Sequence, residues 1–142
     1  MKLPGKKIVL SLVILVCAVG ALYGAVYLKS VKDYQKKVKE TTFNEIDISQ
    51  IPDGTYIGEY DVGFVYAKVE VRVEEGKIAD IHILEHRQER GSAAEAILDD
   101  IIASQRIDVD AVSGATNSST VLKKAVENAL LTSKLSESMI NT

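Results

Sequence analysis

Hydroxyl-bearing and small residues are concentrated in one stretch of the chain, residues 108–119, with the sequence DVDAVSGATNSS. Gly114 gives this stretch access to backbone conformations that other residues avoid. A helix is predicted to follow, and the free N–H groups and positive dipole end of a helix N-terminus are where a phosphate is best held. The stretch therefore suits a phosphorylated ligand. A plainer interpretation stays open, in which Ser118 or Ser119 only caps the helix.

The two histidines, His82 and His86, could suggest a zinc site because they are four residues apart. They lie on or just after a predicted strand, where residues at this spacing share a face but stand about 13 Å apart. That separation disfavours joint coordination of one ion. The adjacent carboxylates of Asp99 and Asp100 point in different directions and fit solvated surface acids. With no recognisable nucleophile triad, independent catalysis is not expected.

Cys17 is the only cysteine and lies inside a long apolar run. A single cysteine excludes an internal disulfide, a CxxC redox pair, a cysteine-ligated iron–sulfur cluster and a CxxCH haem site. If the chain moves electrons, an organic cofactor must carry them.

Charge is distributed unevenly along the chain. Residues 1–40 contain eight lysines and two acidic residues, whereas residues 41–142 contain nine basic and eighteen acidic residues. An acidic domain is a poor candidate for binding nucleic acid, because neutralisation of phosphates dominates that affinity. We therefore expect no nucleic-acid partner.

Three strands are predicted in the first half of the globular part. Residues 65–74 alternate apolar with charged residues, which places one face of an antiparallel strand against a core. A turn at residues 75–77 leads into a strand over residues 78–84, and an earlier strand covers residues 55–60. The apolar face of the third strand is predicted to hold Ala79, Ile81 and Ile83.

Two helices are predicted to cover this sheet. Ser92 and Glu95 have the S-x-x-E spacing of a capping box, which opens a helix that ends near Ser104. A last helix from about Ser118 to Leu131 has one apolar face at helical spacing. That face consists of Leu122, Ala125, Val126, Ala129 and Leu130. The globular part is therefore predicted to be α+β, a small, mainly antiparallel sheet with packed helices.

The run from Ile8 to Leu28 carries no charge. At a rise of about 1.5 Å per residue it is long enough to cross a hydrocarbon core of about 30 Å. We predict one N-terminal transmembrane helix over residues 8–28, after a cytoplasmic segment of residues 1–7. A cleaved signal peptide and lipid attachment at Cys17 are the alternatives. Lysines flank both ends, so charge alone does not set the orientation.

Residues 29–45 are polar and rich in lysine, with Val31, Tyr34 and Val38 at helical spacing. We predict that they extend the membrane helix as a polar stalk without a packed core. The globular domain is then predicted to span residues 46–142.

Three segments resemble one known family. The sequence DAVSGAT at residues 110–116 resembles the D-x-x-S-G-A-T sequence that extracytoplasmic flavin transferases modify. DGTYIG at residues 53–58 and VEVRVEEGKI at residues 69–78 resemble the opening and the hairpin of the FMN-binding domain family. This domain occurs in the C subunit of the sodium-pumping NADH:quinone oxidoreductase, in the G subunit of Rnf-type complexes and in short extracellular electron carriers. The chain is most similar to the last group.

The resemblance implies that FMN is the cofactor and is bound as a phosphoester on Thr116. It further implies that Ser113, Gly114 and Ala115 form the surrounding turn and that Asp110 is part of what the flavin transferase reads. Since these transferases act outside the cytoplasm, the domain is expected to face the extracytoplasmic side of the cell membrane.

The chain departs from the family pattern after His86. Many members have a Thr-Pro-Gly-Leu-Gly-like segment there, whereas this chain has RQERGS at residues 87–92, with a single glycine. Contacts of this segment with the flavin ring are therefore not carried over.

The function implied by the resemblance is electron transfer. The carrier would take electrons from a membrane quinol or a flavoprotein dehydrogenase and pass them to an extracytoplasmic acceptor. It would be a substrate of the flavin transferase and not an independent enzyme. Two alternatives remain. The chain could be a subunit or accessory of a larger membrane redox complex, or a flavin-free anchored binding or assembly module.

Overall fold

A computed structural model of the chain describes residues 4–87 and 92–140. The chain divides into two compact units, Met1–Asp33 and Tyr34–Thr142. In chain order the helices and strands are α1 (Pro4–Glu40), β1 (Gly54–Asp61), β2 (Tyr66–Glu74), β3 (Lys77–Arg87), α2 (Ile97–Ser104) and α3 (Thr116–Ile140). Short 3-10 helices lie at Ile48–Gln50 and Ser92–Ala96. The predicted α+β fold, with a long apolar helix at the N-terminus, is confirmed.

Helix α1 is long and apolar enough to cross a membrane. The most apolar 18-residue window of Gly5–Glu40 has a mean hydropathy of 2.6, and none of that window is buried. This candidate span contains the predicted residues 8–28 and continues without a break through most of the predicted stalk. The orientation of the span and its retention as an anchor stay predictions.

The end of α1 carries buried side chains, because Tyr34 is 8% exposed and Val38 is 7% exposed. The two residues are four apart, which places them on one face of the helix, and both belong to the hydrophobic core of the second unit. The expectation of no packed core in residues 29–45 is therefore wrong for these two positions. Packed residues begin before Ile46, where we predicted the domain to start.

The sheet is an antiparallel meander in the order β1-β2-β3. Strand β2 has the predicted alternation, since its covered face is fully buried and consists of Ala67, Val69, Val71 and Val73. The β2–β3 turn has positive φ at both Glu75 (52°) and Gly76 (73°), as a tight two-residue hairpin turn requires.

Strand β3 differs from the predicted alternation because its pairing with β2 is irregular at two points. Val73 pairs with Ile78 and Arg72 with Asp80, so Ala79 has no partner residue across the ladder. An extra residue of this kind shifts the faces of a strand. Ala79 is therefore exposed and Ile78 is buried, and the prediction that Ala79 joins the apolar face is wrong.

The predicted capping box at Ser92 is also wrong. Helix α2 begins at Ile97, and its N-cap residue, Ala96, has no side-chain hydrogen bond to the helix. The Glu95 carboxylate instead contacts His86. The residue before Ser92, Gly91, lies outside the described residues.

Helix α3 is longer at both ends than the predicted residues 118–131. Its predicted apolar face is confirmed, since Leu122, Ala125, Val126, Ala129 and Leu130 are fully buried. The helix packs on β1 and β2, and it approaches β1 most closely at Gly58. A Cβ atom there would overlap the backbone of Ala125 and Ala129, so Gly58 permits this close packing.

Candidate functional site

A cavity of about 360 Å³ lies at the N-terminus of α3. It is lined by Tyr34, Val65, Gly114, Ala115, Thr116, Asn117 and Ser118. All of these residues belong to the second compact unit. The stretch that sequence analysis singled out therefore forms one wall of a ligand-sized space, together with an aromatic ring from the end of α1.

The turn before α3 is fixed by two hydrogen bonds. The Ala115 N–H donates to the Val112 carbonyl oxygen at 3.0 Å, and the Val112 N–H donates to the Ser119 hydroxyl at 3.1 Å. Gly114 has a φ of 80°, and apart from its two chain neighbours no described residue lies within 4 Å of where its Cβ would be. The glycine thus adopts the positive φ that the turn needs and leaves the space beside it open.

The two serines of the first turn do not have the plain capping role that we left open. Helix α3 begins at Thr116, before both of them. Ser119 is fully buried and holds the preceding loop through Val112. Among the described residues, the Ser118 hydroxyl has no hydrogen-bond partner although Ser118 is only 6% exposed.

The backbone at the start of α3 offers free donors to the cavity. The first hydrogen bond of the helix runs from the Ser119 N–H to the Ala115 carbonyl oxygen at 2.9 Å. The N–H groups of Thr116, Asn117 and Ser118 therefore have no carbonyl partner within the helix, and the positive end of the helix dipole lies here. These groups fit an anionic phosphate.

Thr116 is exposed. Its carbonyl oxygen accepts a hydrogen bond from the Thr120 hydroxyl at 3.0 Å, while its own hydroxyl has no partner among the described residues. The hydroxyl is thus open to a reagent from outside. This is the arrangement that covalent modification at Thr116 requires.

A buried lysine that sequence analysis missed holds the loop before the turn. Lys123 Nζ lies 2.9 Å from Asp108 Oδ1 and 2.9 Å from the Val109 carbonyl oxygen. The same atom lies 4.5 Å from the centre of the Phe43 ring, a cation–π contact. Its side chain is 8% exposed, so this cation is nearly desolvated and fixes residues 108–109 against α3.

A second buried charge, Glu127, holds the segment that follows α1. Its Oε1 accepts hydrogen bonds from Asn44 Nδ2 at 2.8 Å and from Lys124 Nζ at 3.1 Å. Lys124 Nζ also donates to the Thr42 carbonyl oxygen at 2.9 Å. Lys123 and Glu127 are four apart on the helix, and this spacing beside the apolar face is the only signal in the sequence that could have indicated their burial.

The five predicted site residues are placed as follows. Thr116, Gly114 and Ala115 line the cavity, whereas Ser113 is exposed in the turn and is not among the lining residues. Asp110 is exposed and lines a separate surface depression. Its role in recognition by a transferase stays a prediction.

The two histidines differ in environment. His82 is exposed and its Nε2 lies 2.8 Å from Asp80 Oδ2. The His86 side chain is 3% exposed, with Nδ1 3.0 Å from Glu95 Oε1. The irregular pairing near Leu84 turns His86 to the covered side of the sheet, where it pairs with Ala67. The two residues therefore do not share a face, contrary to our expectation.

The described residues contain no group of three or more His, Cys, Asp or Glu side chains that could hold a metal ion. The part of the divergent segment that covers residues 88–91 lies outside the described residues.

Beside the cavity residue Val65, the Tyr66 hydroxyl donates a hydrogen bond to Glu59 Oε2 at 2.7 Å. This hydrogen bond raises the pKa of Tyr66 to about 12.

Fold and site together define a small α+β domain with a cavity suited to a phosphorylated ligand at the start of a helix. The sequence model of the family described as the FMN-binding domain matches residues 63–131, and these residues belong to that family. The suspected family is thereby confirmed. The match supports FMN as the ligand of this domain. Comparisons with curated proteins and with solved structures gave no match.

Proposed function

We propose that this protein is a membrane-anchored, extracytoplasmic electron-transfer flavoprotein that carries FMN as a phosphoester on Thr116. The observation that carries the proposal is the position of Thr116. Its exposed hydroxyl lies on the wall of a cavity at the N-terminus of α3, within the range matched by the FMN-binding domain family.

The attachment would be made by a flavin transferase with FAD as the donor. The Thr116 hydroxyl oxygen attacks the phosphorus of the FMN half, and the bond between that phosphorus and the bridging oxygen of the diphosphate breaks. AMP leaves with the bridging oxygen, and the hydroxyl proton is released. The small residues Gly114 and Ala115 leave room for the nucleotide, since no described residue other than the two chain neighbours of Gly114 lies within 4 Å of its Cβ position.

The chain's own groups would hold the phosphate and expose the hydroxyl to the transferase. The free N–H groups of residues 116–118 favour negative charge at this position. Bound FMN supplies one- and two-electron redox chemistry. A covalent bond prevents loss of the cofactor to the surroundings, which is an advantage for a carrier outside the cytoplasm.

The electron donor is proposed to be a membrane quinol or a flavoprotein dehydrogenase, and the acceptor an extracytoplasmic molecule. The apolar helix α1 supports the first part of this proposal, because an anchor keeps the carrier beside membrane-bound donors. The acidic composition of residues 41–142 gives no support for nucleic acid as a partner.

Coexpression of the full chain with an exported flavin transferase tests the proposal. Intact mass spectrometry should show one added FMN less one water, and the chain should stay yellow after denaturation. Thr116→Ala should abolish the added mass, whereas Thr116→Ser should keep part of it. Thr120→Ala is the matched control, because it removes a neighbouring hydroxyl on the same helix.

Two outcomes would contradict the proposal. Full FMN loading of Thr116→Ala would place the attachment elsewhere. An unmodified wild-type chain in the presence of the exported transferase would favour the flavin-free binding module or a domain that faces the cytoplasm.

A further inference from the structure

Two residues outside the attachment sequence are placed to hold the attached flavin. We propose that the ring of Tyr34 packs against the isoalloxazine ring and that the Ser118 hydroxyl donates a hydrogen bond to the flavin moiety. The proposal rests on the attachment at Thr116 argued above. Tyr34 also lies outside residues 63–131, the range that the family model matches, so nothing in that match assigns it a role.

Tyr34 brings a planar aromatic surface to the cavity. The residue is 8% exposed, and it lines the same cavity as Thr116. The Phe64 ring lies at 5.6 Å and 73° to it, an edge-to-face contact that fixes its orientation. Aromatic ring systems pair favourably in such fixed arrangements, and isoalloxazine is a planar aromatic system of this kind.

Ser118 supplies the polar part of the site. The residue is 6% exposed and lines the cavity, yet its hydroxyl has no partner among the described residues. Among the described residues, the fully enclosed side-chain polar atoms without a partner are His86 Nε2 and Glu127 Oε2, so the Ser118 hydroxyl is still reachable from the cavity. By contrast, the hydroxyl of the next residue, Ser119, accepts a hydrogen bond from the Val112 N–H. An oxygen of the phosphate or ribityl chain would complete the hydrogen bonding of Ser118.

The size of the cavity agrees with this arrangement. Its volume of about 360 Å³ is near the lower end of the range of about 300–1,000 Å³ found for ligand pockets. A flavin tethered at Thr116 would fill it and remain partly accessible. Partial access is what exchange of electrons with a partner requires.

Fluorescence of the attached flavin tests the role of Tyr34 in the full-length, flavinylated chain in detergent. A phenol in contact with an excited flavin quenches it by donating an electron, whereas a phenyl ring does not. Tyr34→Phe keeps the shape of the ring, so it should raise fluorescence per attached FMN severalfold. Tyr34→Trp retains an electron donor and should stay quenched. The control is Tyr56→Phe. The Tyr56 hydroxyl donates a hydrogen bond to the Pro52 carbonyl oxygen, and Tyr56 does not line the cavity.

Fluorescence anisotropy tests the role of Ser118. Ser118→Ala should lower the anisotropy of the attached flavin, because the flavin is held less firmly, and Thr120→Ala should leave it unchanged. Equal fluorescence of wild type, Tyr34→Phe and Tyr34→Trp would overturn the ring contact. Unchanged anisotropy in Ser118→Ala would overturn the hydrogen bond. These results differ from failure of the proposed function, which would appear as a wild-type chain without FMN.

Discussion

The first turn of α3 and the middle of the same helix contrast sharply. In the first turn, Thr116 is exposed and the Ser118 hydroxyl has no partner among the described residues. In the middle, Val126 and Ala129 are fully buried, and the helix lies so close to β1 that only glycine fits at position 58. One helix thus provides both an open polar end and a closed apolar face.

The difference follows from helix geometry. The first N–H groups of a helix have no internal partners, so the N-terminus can bind an anion without breaking any hydrogen bond. In the middle, the backbone groups bond within the helix, and burial restricts which side chains are tolerated. Substitutions in the two regions should therefore separate flavin attachment from stability.

The largest effect is expected for Val126→Asp. The substitution places an unpaired charge in a fully buried position and should lower the free energy of unfolding by several kcal/mol. Flavin loading should fall only because the domain unfolds. Thermal melts of the unmodified proteins measure the effect, with Leu135→Asp as the control on the same helix, since Leu135 is 66% exposed. Equal melting temperatures of Val126→Asp and Leu135→Asp would refute the expected difference in tolerance between buried and exposed positions of α3.

An intermediate effect is expected for Ser119→Ala. The substitution removes the acceptor of the Val112 N–H hydrogen bond and should cost about 1 kcal/mol. Ser118→Ala is the matched comparison one residue away, and it should leave stability nearly unchanged because that hydroxyl has no partner in the part of the chain that the structure describes. Chemical denaturation of the two unmodified variants is the measurement. A larger loss for Ser118→Ala would show that this serine supports the fold instead of the cavity.

The sequence predicted the parts of the fold that repeat at a regular period. The alternation in β2 and the apolar face of α3 are both periodic, and both are confirmed. The irregular pairing in β3 was not predictable in this way, because one extra residue at Ala79 changes the faces without changing the composition.

The chemistry at the start of α3 was indicated by residue type, but part of the site was not. Lysines surround Tyr34 in the sequence, so we predicted that its segment is a solvated stalk. Only tertiary packing brings Tyr34 to the cavity. Lys123 and Glu127 were missed because charged residues are rarely buried unless they are paired. Their partners, Asp108 and Asn44, are distant in sequence.

A small effect on stability is expected for Asp110→Ala, and this variant tests whether exposed residues near the first turn serve recognition alone. Asp110 is exposed and lies outside the cavity. Its removal should change the free energy of unfolding by less than about 1 kcal/mol, as surface substitutions usually do. Flavin loading should nevertheless fall strongly if the transferase reads this carboxylate.

Asp108→Ala is the comparison that gives the Asp110 result its meaning. Asp108 is also largely exposed, with 68% of its side chain accessible, but it pairs with Lys123, whose side chain is only 8% exposed. Loss of Asp108 leaves a nearly buried cation with one partner fewer, so this variant should melt lower than Asp110→Ala. The measurement pairs thermal melts of the unmodified proteins with flavin fluorescence in denaturing gels. If Asp110→Ala melts as low as Asp108→Ala, the aspartate is structural; if it melts normally and loads fully, the transferase does not read it.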